Sequence, residues 1–257
     1  MNSREEQLKA FDRLLTIMDE LREECPWDRK QTMESLRPLT IEETYELGDA
    51  ILDKDIEEVR KELGDLLLHL VFYAKIGSES NDFDIADVAN GICEKLISRH
   101  PHIYGDVKIE NEEDVKKNWE NLKLNEGKKS VLEGVPGSLP ALVKASRIQD
   151  KVAGVGFDWE EPQQVFEKLE EELRELQEEV NMADKDKMEA EFGDVMFSMI
   201  NYARFLKINP ENALERTNKK FIARFKYLEQ KAAEKNIALK DMTLAEMDVY
   251  WNEAKKL

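Results

Sequence analysis

Residues 172–194 read ELRELQEEVNMADKDKMEAEFGD, and residues 43–65 read ETYELGDAILDKDIEEVRKELGD. Each stretch opens on Glu-x-x-Glu and closes on Glu-x-x-Asp. The acids are Glu43, Glu46, Glu62 and Asp65 in the first copy, and Glu172, Glu175, Glu191 and Asp194 in the second. Every acid of the second copy lies 129 positions after its counterpart. A three-residue spacing sets two carboxylates on one face of a helix, and two helices paired as a hairpin turn their acid pairs toward each other. Four carboxylates that close repel strongly unless a cation sits among them. Hard oxygen donors suit Mg²⁺ or Mn²⁺ better than zinc or copper. A single Glu-x-x-Glu in so acidic a chain could be a solvated face. Two copies that keep the gap between helices are harder to assign to chance, which does not preserve that gap.

The repeat extends beyond the acids. Residues 4–24 have the period of an amphipathic helix, with Leu8, Phe11, Leu14, Leu15, Met18 and Leu21 on one side. It ends near Cys25-Pro26-Trp27-Asp28. A comparable helix over 138–153 ends near Gly156-Phe157-Asp158-Trp159. Acid-bearing helices follow, over about 40–53 and 56–76, then 162–181 and 185–206. A basic pair comes next in each half, Lys95 and Arg99, then Lys220 and Arg224. Each half closes on Trp-x-x-x-Lys, at Trp119 and Lys123 and at Trp251 and Lys255. Gly127, Gly134, Pro136, Gly137 and Pro140 mark a linker. With no convincing alternating strand, the expected fold is all-α. Two homologous helical bundle domains cover residues 1–125 and 138–257, joined by 126–137, each with about four helices plus a terminal helix.

The second acid helix indicates how its carboxylates are held. Glu191, Asp194, Ser198 and Asn201 fall on one polar stripe, flanked by Phe192, Val195, Met196, Phe197, Met199 and Ile200. A polar stripe on an otherwise apolar helix must be satisfied inside the protein or in a cleft. Lys220 and Arg224, four residues apart beside Phe221 and Phe225, could grip phosphate, Arg bidentately and Lys as a point charge. Either pair alone would equally serve as a surface salt-bridge partner; its recurrence beside both acid sets favours phosphate.

Composition excludes several classes. The formal net charge of −18 over 257 residues offers no counterion-release surface for nucleic acid or an anionic membrane. The most apolar run, Leu66 to Ala74, is too short to span a bilayer, and the charged N-terminus is not signal-like. Cys25 and Cys93 are too far apart for a C-x-x-C site and fit a reducing cytosol, so a cytoplasmic protein is expected. His69, His100 and His102 contribute little, and the absence of any Glu-x-x-His weighs against a ferritin-like di-iron oxidase.

The stretches LRPLTIEETYELGDAI (36–51), ELGDLLLHLVFYA (62–74), KLISRHPHIYGD (95–106), VPGSLPAL (135–142) and VGFDWEEPQQVFEKLEEELRELQEEV (155–180) closely resemble the MazG family. The resemblance runs in order over nearly the whole chain. It implies Mg²⁺-dependent hydrolysis of NTPs and dNTPs to the monophosphate and pyrophosphate, broad base use, and a homodimer or larger assembly. It maps metal binding onto Glu172, Glu175, Glu191 and Asp194, and phosphate contact onto Lys168, Lys187, Lys220 and Arg224. Glu43, Glu46, Glu62 and Asp65, with Lys95 and Arg99, form a second set. Asn201 and Trp251 are nucleotide-binding candidates, Trp251 as a base-stacking face or as an ordinary packing tryptophan. Metal-assisted attack of water between the α and β phosphates would use Glu172 or Glu175 as the base, and the sequence does not choose between them.

The halves are unequal. Lys168 and Lys187 precede the second acid pairs by four residues, where the first half has Leu39 and Glu58. Asn201 and Ser198 correspond to Phe72 and His69. The expectation is that residues 138–257 carry the main activity and that the first domain is a weaker site, a regulatory site or a dimer scaffold. Two alternatives stay open: a narrow enzyme acting on dUTP, dCTP or a modified nucleotide, and a non-catalytic helical regulatory module.

Overall fold

A computed structural model describes residues 1–105 and 130–256. Among these every regular element is helical. The chain divides into two compact units, Met1–Ile109 and Glu110–Leu257. Trp119 and Lys123, the first of the two Trp-x-x-x-Lys pairs, lie outside the described residues, as do Asn125 and Gly127 of the linker.

In the first unit α1 spans Arg4–Glu24, α2 Met33–Asp53, α3 Ile56–Glu79, α4 Ile85–Arg99 and the single turn α5 Pro101–Tyr104. Side-chain caps set the starts. Ser3 and Glu6 form a capping box on α1, and Asp55 and Asp84 accept backbone N–H groups at the starts of α3 and α4. Met18, Leu36, Val71 and Phe72 form the buried core, with Leu14, Leu39 and Leu68 packed on it. Arg22 of α1 forms a bidentate pair with Glu79 of α3, at 2.8 and 2.7 Å, and donates to the backbone oxygens of Asp28 and Gln31. That one side chain fastens the turn after α1 to the end of α3.

Helix α2 begins seven residues before the position expected from periodicity, and Pro38 lies inside it. Proline there forfeits one backbone bond. The turn is kept because Thr32 and Ser35 cap the start reciprocally, at 3.2 and 2.9 Å, and because Leu36 is buried in the core.

The second unit contains α6 Ala141–Ala153, α7 Pro162–Met182, α8 Lys185–Phe205, α9 Pro210–Glu234 and α10 Leu244–Ala254. Pro162 and Pro210 stand at first helical positions, where the missing N–H costs nothing. Helix α7 pairs with α8, α6 packs on α8, and α10 packs on α9. Val165, Leu169, Val195, Ile200, Leu228, Ala232 and Tyr250 are its buried apolar residues.

The two hairpins that carry the acids turn identically. Lys54 ends α2 at φ 59°, ψ 28°, and Ala183 ends α7 at φ 58°, ψ 29°. Each is followed by an aspartate, Asp55 or Asp184, whose side chain caps the next helix. A left-handed residue followed at once by a capped helix folds the chain straight back, which brings Glu-x-x-Glu opposite Glu-x-x-Asp. Neither residue is glycine, so each turn carries strain of about 1 kcal/mol. Ala183→Gly is therefore expected to raise stability by roughly 0.5–1 kcal/mol, net of the added unfolded-state entropy, in a urea titration.

Candidate active site

The hairpin α7–α8 brings carboxylate oxygens of Glu172, Glu175 and Glu191 within 4.8 Å of one another, and α2–α3 does the same for Glu43, Glu46 and Glu62. Asp65 and Asp194 stand outside these trios. Asp194 instead lines a cavity of about 190 Å³ together with Lys168, Glu172, Ser198 and Asn201. The polar stripe on α8 thus opens onto a cleft rather than onto solvent alone.

Both trios fit a hard divalent cation, on their own chemistry. All donors are carboxylate oxygens, and some are left without a protein partner. In the first unit Glu62 is 5% exposed and its Oε2 is buried with no hydrogen-bond partner. Burial pushes the Glu62 carboxyl up to about 7, aided by a hydrogen bond with Glu43 and by the charges of Glu46 and Glu43. In the second unit burial also raises Glu191, followed by the charges of Glu175, Asp194 and Glu172. A cation among these oxygens would offset both the burial and the mutual repulsion that raise these carboxyls.

The cations around the two trios differ. Lys168 donates to Glu171 at 2.8 Å and pairs with the buried Glu172 at 2.9 Å, and these hydrogen bonds hold its ammonium group well above the usual lysine range. Leu39 takes the equivalent place in the first unit and packs into the core. Glu58, the counterpart of Lys187, is paired with Lys61 at 2.6 Å. Phe72 stands where Asn201 stands and is 2% exposed within the core, while the buried His69 takes the place of Ser198. In the first unit, apolar packing fills what in the second unit is cavity wall.

The other predicted cations are further from the acids. Lys187 lies 3.7 Å from Glu179 and 3.9 Å from Asp184, near the turn of the hairpin. Lys220 and Arg224 share a face of α9 with Phe221, and both Phe221 and Arg224 lie against Trp251 of α10, at 4.9 and 5.9 Å. Trp251 thus has packing partners within its own helix pair. Among the described residues no ion pair joins Lys220 or Arg224 to the acid trio. Lys95 and Arg99 lie on α4.

The sequence reading missed the wall beside the acids. A second cavity, about 430 Å³, adjoins the first and shares Trp159, Phe197 and Asn201 with it. That volume is in the range of small-molecule sites. Its remaining lining includes Gln149 of α6, Phe157 and Asp158 of the loop before α7, and Arg204 at the end of α8. The sequence reading had Asn201 of this wall as a nucleotide-binding candidate and marked the loop through the correspondence of Asp28 and Asp158, but it gave Gln149, Asp158 and Arg204 no task.

The helical hairpin that carries Glu-x-x-Glu on one arm and Glu-x-x-Asp on the other occurs in both units. The pattern of the MazG nucleotide pyrophosphohydrolase domain matches this chain twice, at residues 31–104 and 160–228. The nucleoside triphosphate pyrophosphohydrolase/pyrophosphatase MazG of Thermotoga maritima is 45% identical over 250 residues, covering 95% of each chain. A nucleoside triphosphate pyrophosphohydrolase of Escherichia coli K12 is 41% identical over 258 residues, covering 97% of this chain and 98% of the relative. YabN of Bacillus subtilis, an uncharacterized protein, is 47% identical over 252 residues, which are 96% of this chain and 52% of YabN. The chain belongs to the MazG family. Among the described residues no helix is long and apolar enough to cross a membrane.

Proposed function

We propose that the protein is a divalent-metal-dependent nucleoside triphosphate pyrophosphohydrolase, and that residues 138–257 carry the turnover. The observation that carries this reading is the juxtaposition of the Glu172–Glu175–Glu191 trio, neutralised in part by Lys168, with a cleft continuous with an aromatic-walled cavity. The names of the Thermotoga and Escherichia relatives point to the same activity. The substrates are NTPs and dNTPs, cleaved between the α and β phosphates, among nucleotides of the cytoplasm.

Glu172, Glu175 and Glu191 would hold Mg²⁺ or Mn²⁺, with Asp194 at the cavity edge. When bound, such a cation offsets phosphate charge and acidifies water. Lys168 faces the polyphosphate end, and Lys187, Lys220 and Arg224 are further phosphate contacts. Glu172 Oε1 is already engaged by Lys168, which leaves the exposed Glu175 as the carboxylate that takes the proton of the attacking water. Water then attacks the α phosphorus, the α–β bridging oxygen leaves with the pyrophosphate, and the monophosphate remains. A panel of NTPs and dNTPs with Mg²⁺ or Mn²⁺ tests the substrate range. Comparable turnover across bases supports the broad reading, and turnover confined to dUTP or dCTP replaces it with the narrow one.

The first unit keeps its acids yet lacks the lysine and the cavity-wall asparagine, which supports a cation-binding or scaffolding role rather than a main catalytic one. Both units also leave the same apolar stripe exposed: Leu63, Leu67 and Leu70 on α3, and Phe192, Met196 and Met199 on α8, again 129 positions apart. Burying such stripes against a second copy would give the homodimer or larger assembly. Light scattering is expected to show a dimer or larger species that Met196→Glu shifts toward monomer. A monomeric wild-type protein would remove that element of the proposal.

A further inference from the structure

Lys151 of α6 is only 4% exposed, and hydrolysis assigns it no task. A buried ammonium group is costly unless oxygen atoms meet it. One such oxygen comes from upstream of the helix: Lys151 Nζ donates to the backbone oxygen of Val131 at 3.1 Å. Two turns earlier on α6, Lys144 Nζ donates to the backbone oxygen of Gly137 at 2.6 Å. Residues 144, 148 and 151 share one face of the helix. The partners come in inverted order, 137 beside 144 and 131 beside 151. The chain therefore runs back along α6 before it enters that helix.

Gly134, Pro136 and Gly137 give this segment the composition of a free tether, but it is folded. The N–H groups of Glu133, Val135 and Leu139 donate to the backbone oxygens of Ser130, Leu132 and Pro136, at 3.1, 3.1 and 3.3 Å. Ser130 Oγ accepts from the N–H of Leu132 at 3.2 Å. Val131, Val135 and Leu139, spaced four apart, are half-buried, whereas Glu133, Gly134, Pro136 and Gly137 are exposed. Gly134 turns the chain at φ 89°, where a side chain would add strain. Seven helical residues rise about 10 Å, while six extended residues span about 20 Å, so the turns take up the slack between the two lysines.

Helix α6 also walls the larger cavity, through Ile148, Gln149 and Val152. Gln149 Nε2 donates to the backbone oxygen of Phe197 at 2.8 Å. Helix α6 is thus tied twice, to α8 by Gln149 and to the returning segment by its two lysines. We propose that residues 130–140 are a strap belonging to the second unit, and that Lys151 is the positioning residue through which the strap holds α6 and its share of the cavity wall. The connection between the units then ends ahead of Ser130, and the glycines and prolines shape the strap rather than loosen it. The effect on turnover rests on the hydrolase reading; the strap itself does not.

Hydrogen exchange and kinetics on the full chain test the two parts separately. Lys151→Met keeps an apolar stem and removes the charged donor. It is expected to speed exchange of the Glu133 and Val135 amides by at least about tenfold, the lower end of what a hydrogen bond from a charged group is worth. Exchange at Gln149 and Val152 should rise as well, with the α7–α8 hairpin unchanged. KM for ATP should rise about threefold with kcat within about twofold, because a displaced wall weakens binding and leaves the reacting groups alone. Lys151→Arg keeps the charge and the donors and should restore both slow exchange and low KM. Gly134→Ala strains the strap with Lys151 intact, is expected to shift exchange and KM the same way, and carries the test alone if Lys151→Met fails to fold. Unchanged exchange at Glu133 and Val135 in a folded Lys151→Met protein would overturn the strap. Faster exchange there with unchanged KM would overturn the positioning role. A wild-type protein that hydrolyses no NTP would sink the hydrolase reading alone, and exchange at Gln149 and Val152 would then decide whether the strap holds the wall.

Discussion

Replacing Glu172 by alanine is expected to lower NTP turnover by at least about a hundredfold, while Glu43→Ala leaves it within about threefold of wild type. The asymmetry comes from what surrounds each acid. Glu172 is buried, is paired with Lys168 at 2.9 Å, and opens with Asp194 and Asn201 onto the cleft. Removing it takes away a cation donor and the partner that aims Lys168 at the phosphates. Glu43 belongs to a trio of similar compactness, but Leu39 and Phe72, packed in the core, stand in the places of Lys168 and Asn201. Unfolding is not the expected cause of the loss. Deleting one carboxylate relieves repulsion in the metal-free trio, so the melting temperature of Glu172→Ala should match or exceed that of wild type. Equal losses in both variants would give the two halves equal standing, and loss only in Glu43→Ala would reverse the assignment. Turnover unaffected by Glu172→Ala would favour the reading of a solvated acidic face on a regulatory module.

Millimolar Mg²⁺ is expected to raise the melting temperature by several degrees. The trios hold carboxylate oxygens within 4.8 Å of one another, and burial, with the neighbouring Glu43 and Glu46, pushes the Glu62 carboxyl up to about 7. A cation that binds only the folded trio stabilises it by mass action, about 2.7 kcal/mol at a hundred times Kd. For a domain of roughly 100 residues, each kcal/mol moves the midpoint by about 4–8 °C. The Glu191→Gln variant should lose part of this response, since it keeps the side-chain volume and removes one charged donor. A midpoint indifferent to Mg²⁺, or raised as much by NaCl at equal ionic strength, would count against a metal cage.

Much of this architecture is legible in the sequence, for identifiable reasons. Duplication is the strongest of them: a helix period recurring with the acids at a fixed offset shows both the hairpin and its partner copy. The acid trios follow from the same pattern, because Glu-x-x-Glu on one arm of a hairpin faces the first acid of Glu-x-x-Asp on the other. The start of α2 was placed near residue 40, whereas the Thr32–Ser35 caps and the burial of Leu36 begin the helix at Met33 and carry it through Pro38. The hairpin turns were placed by the limits of their helices, but their backbone conformation was not. Lys54 and Ala183 adopt left-handed backbone without a glycine to announce it. Asp65 and Asp194 keep their spacing yet stand outside the trios, a difference of side-chain reach that spacing does not encode.

The cavity beside the second trio was invisible for a different reason. Asn201 was marked by the polar stripe of its helix, but Gln149, Asp158 and Arg204 come from a helix, a loop and the end of another helix, and none of these three is unusual for its segment. Only their hydrogen bonds join them. Trp251 recurs in the Trp-x-x-x-Lys pair and was read as a stacking face or a packing tryptophan; its ring lies 4.9 Å from that of Phe221. Linear spacing exposed the acids because they repeat, and hid most of the cavity wall because it is assembled across elements.

The most direct test of the central claim is phosphorus NMR of NTP turnover with Mg²⁺. The account predicts nucleoside monophosphate and pyrophosphate in equal amounts, with both signals lost in Glu172→Ala. Nucleoside diphosphate and inorganic phosphate as the first products would contradict it, because the cut would then lie between the β and γ phosphates.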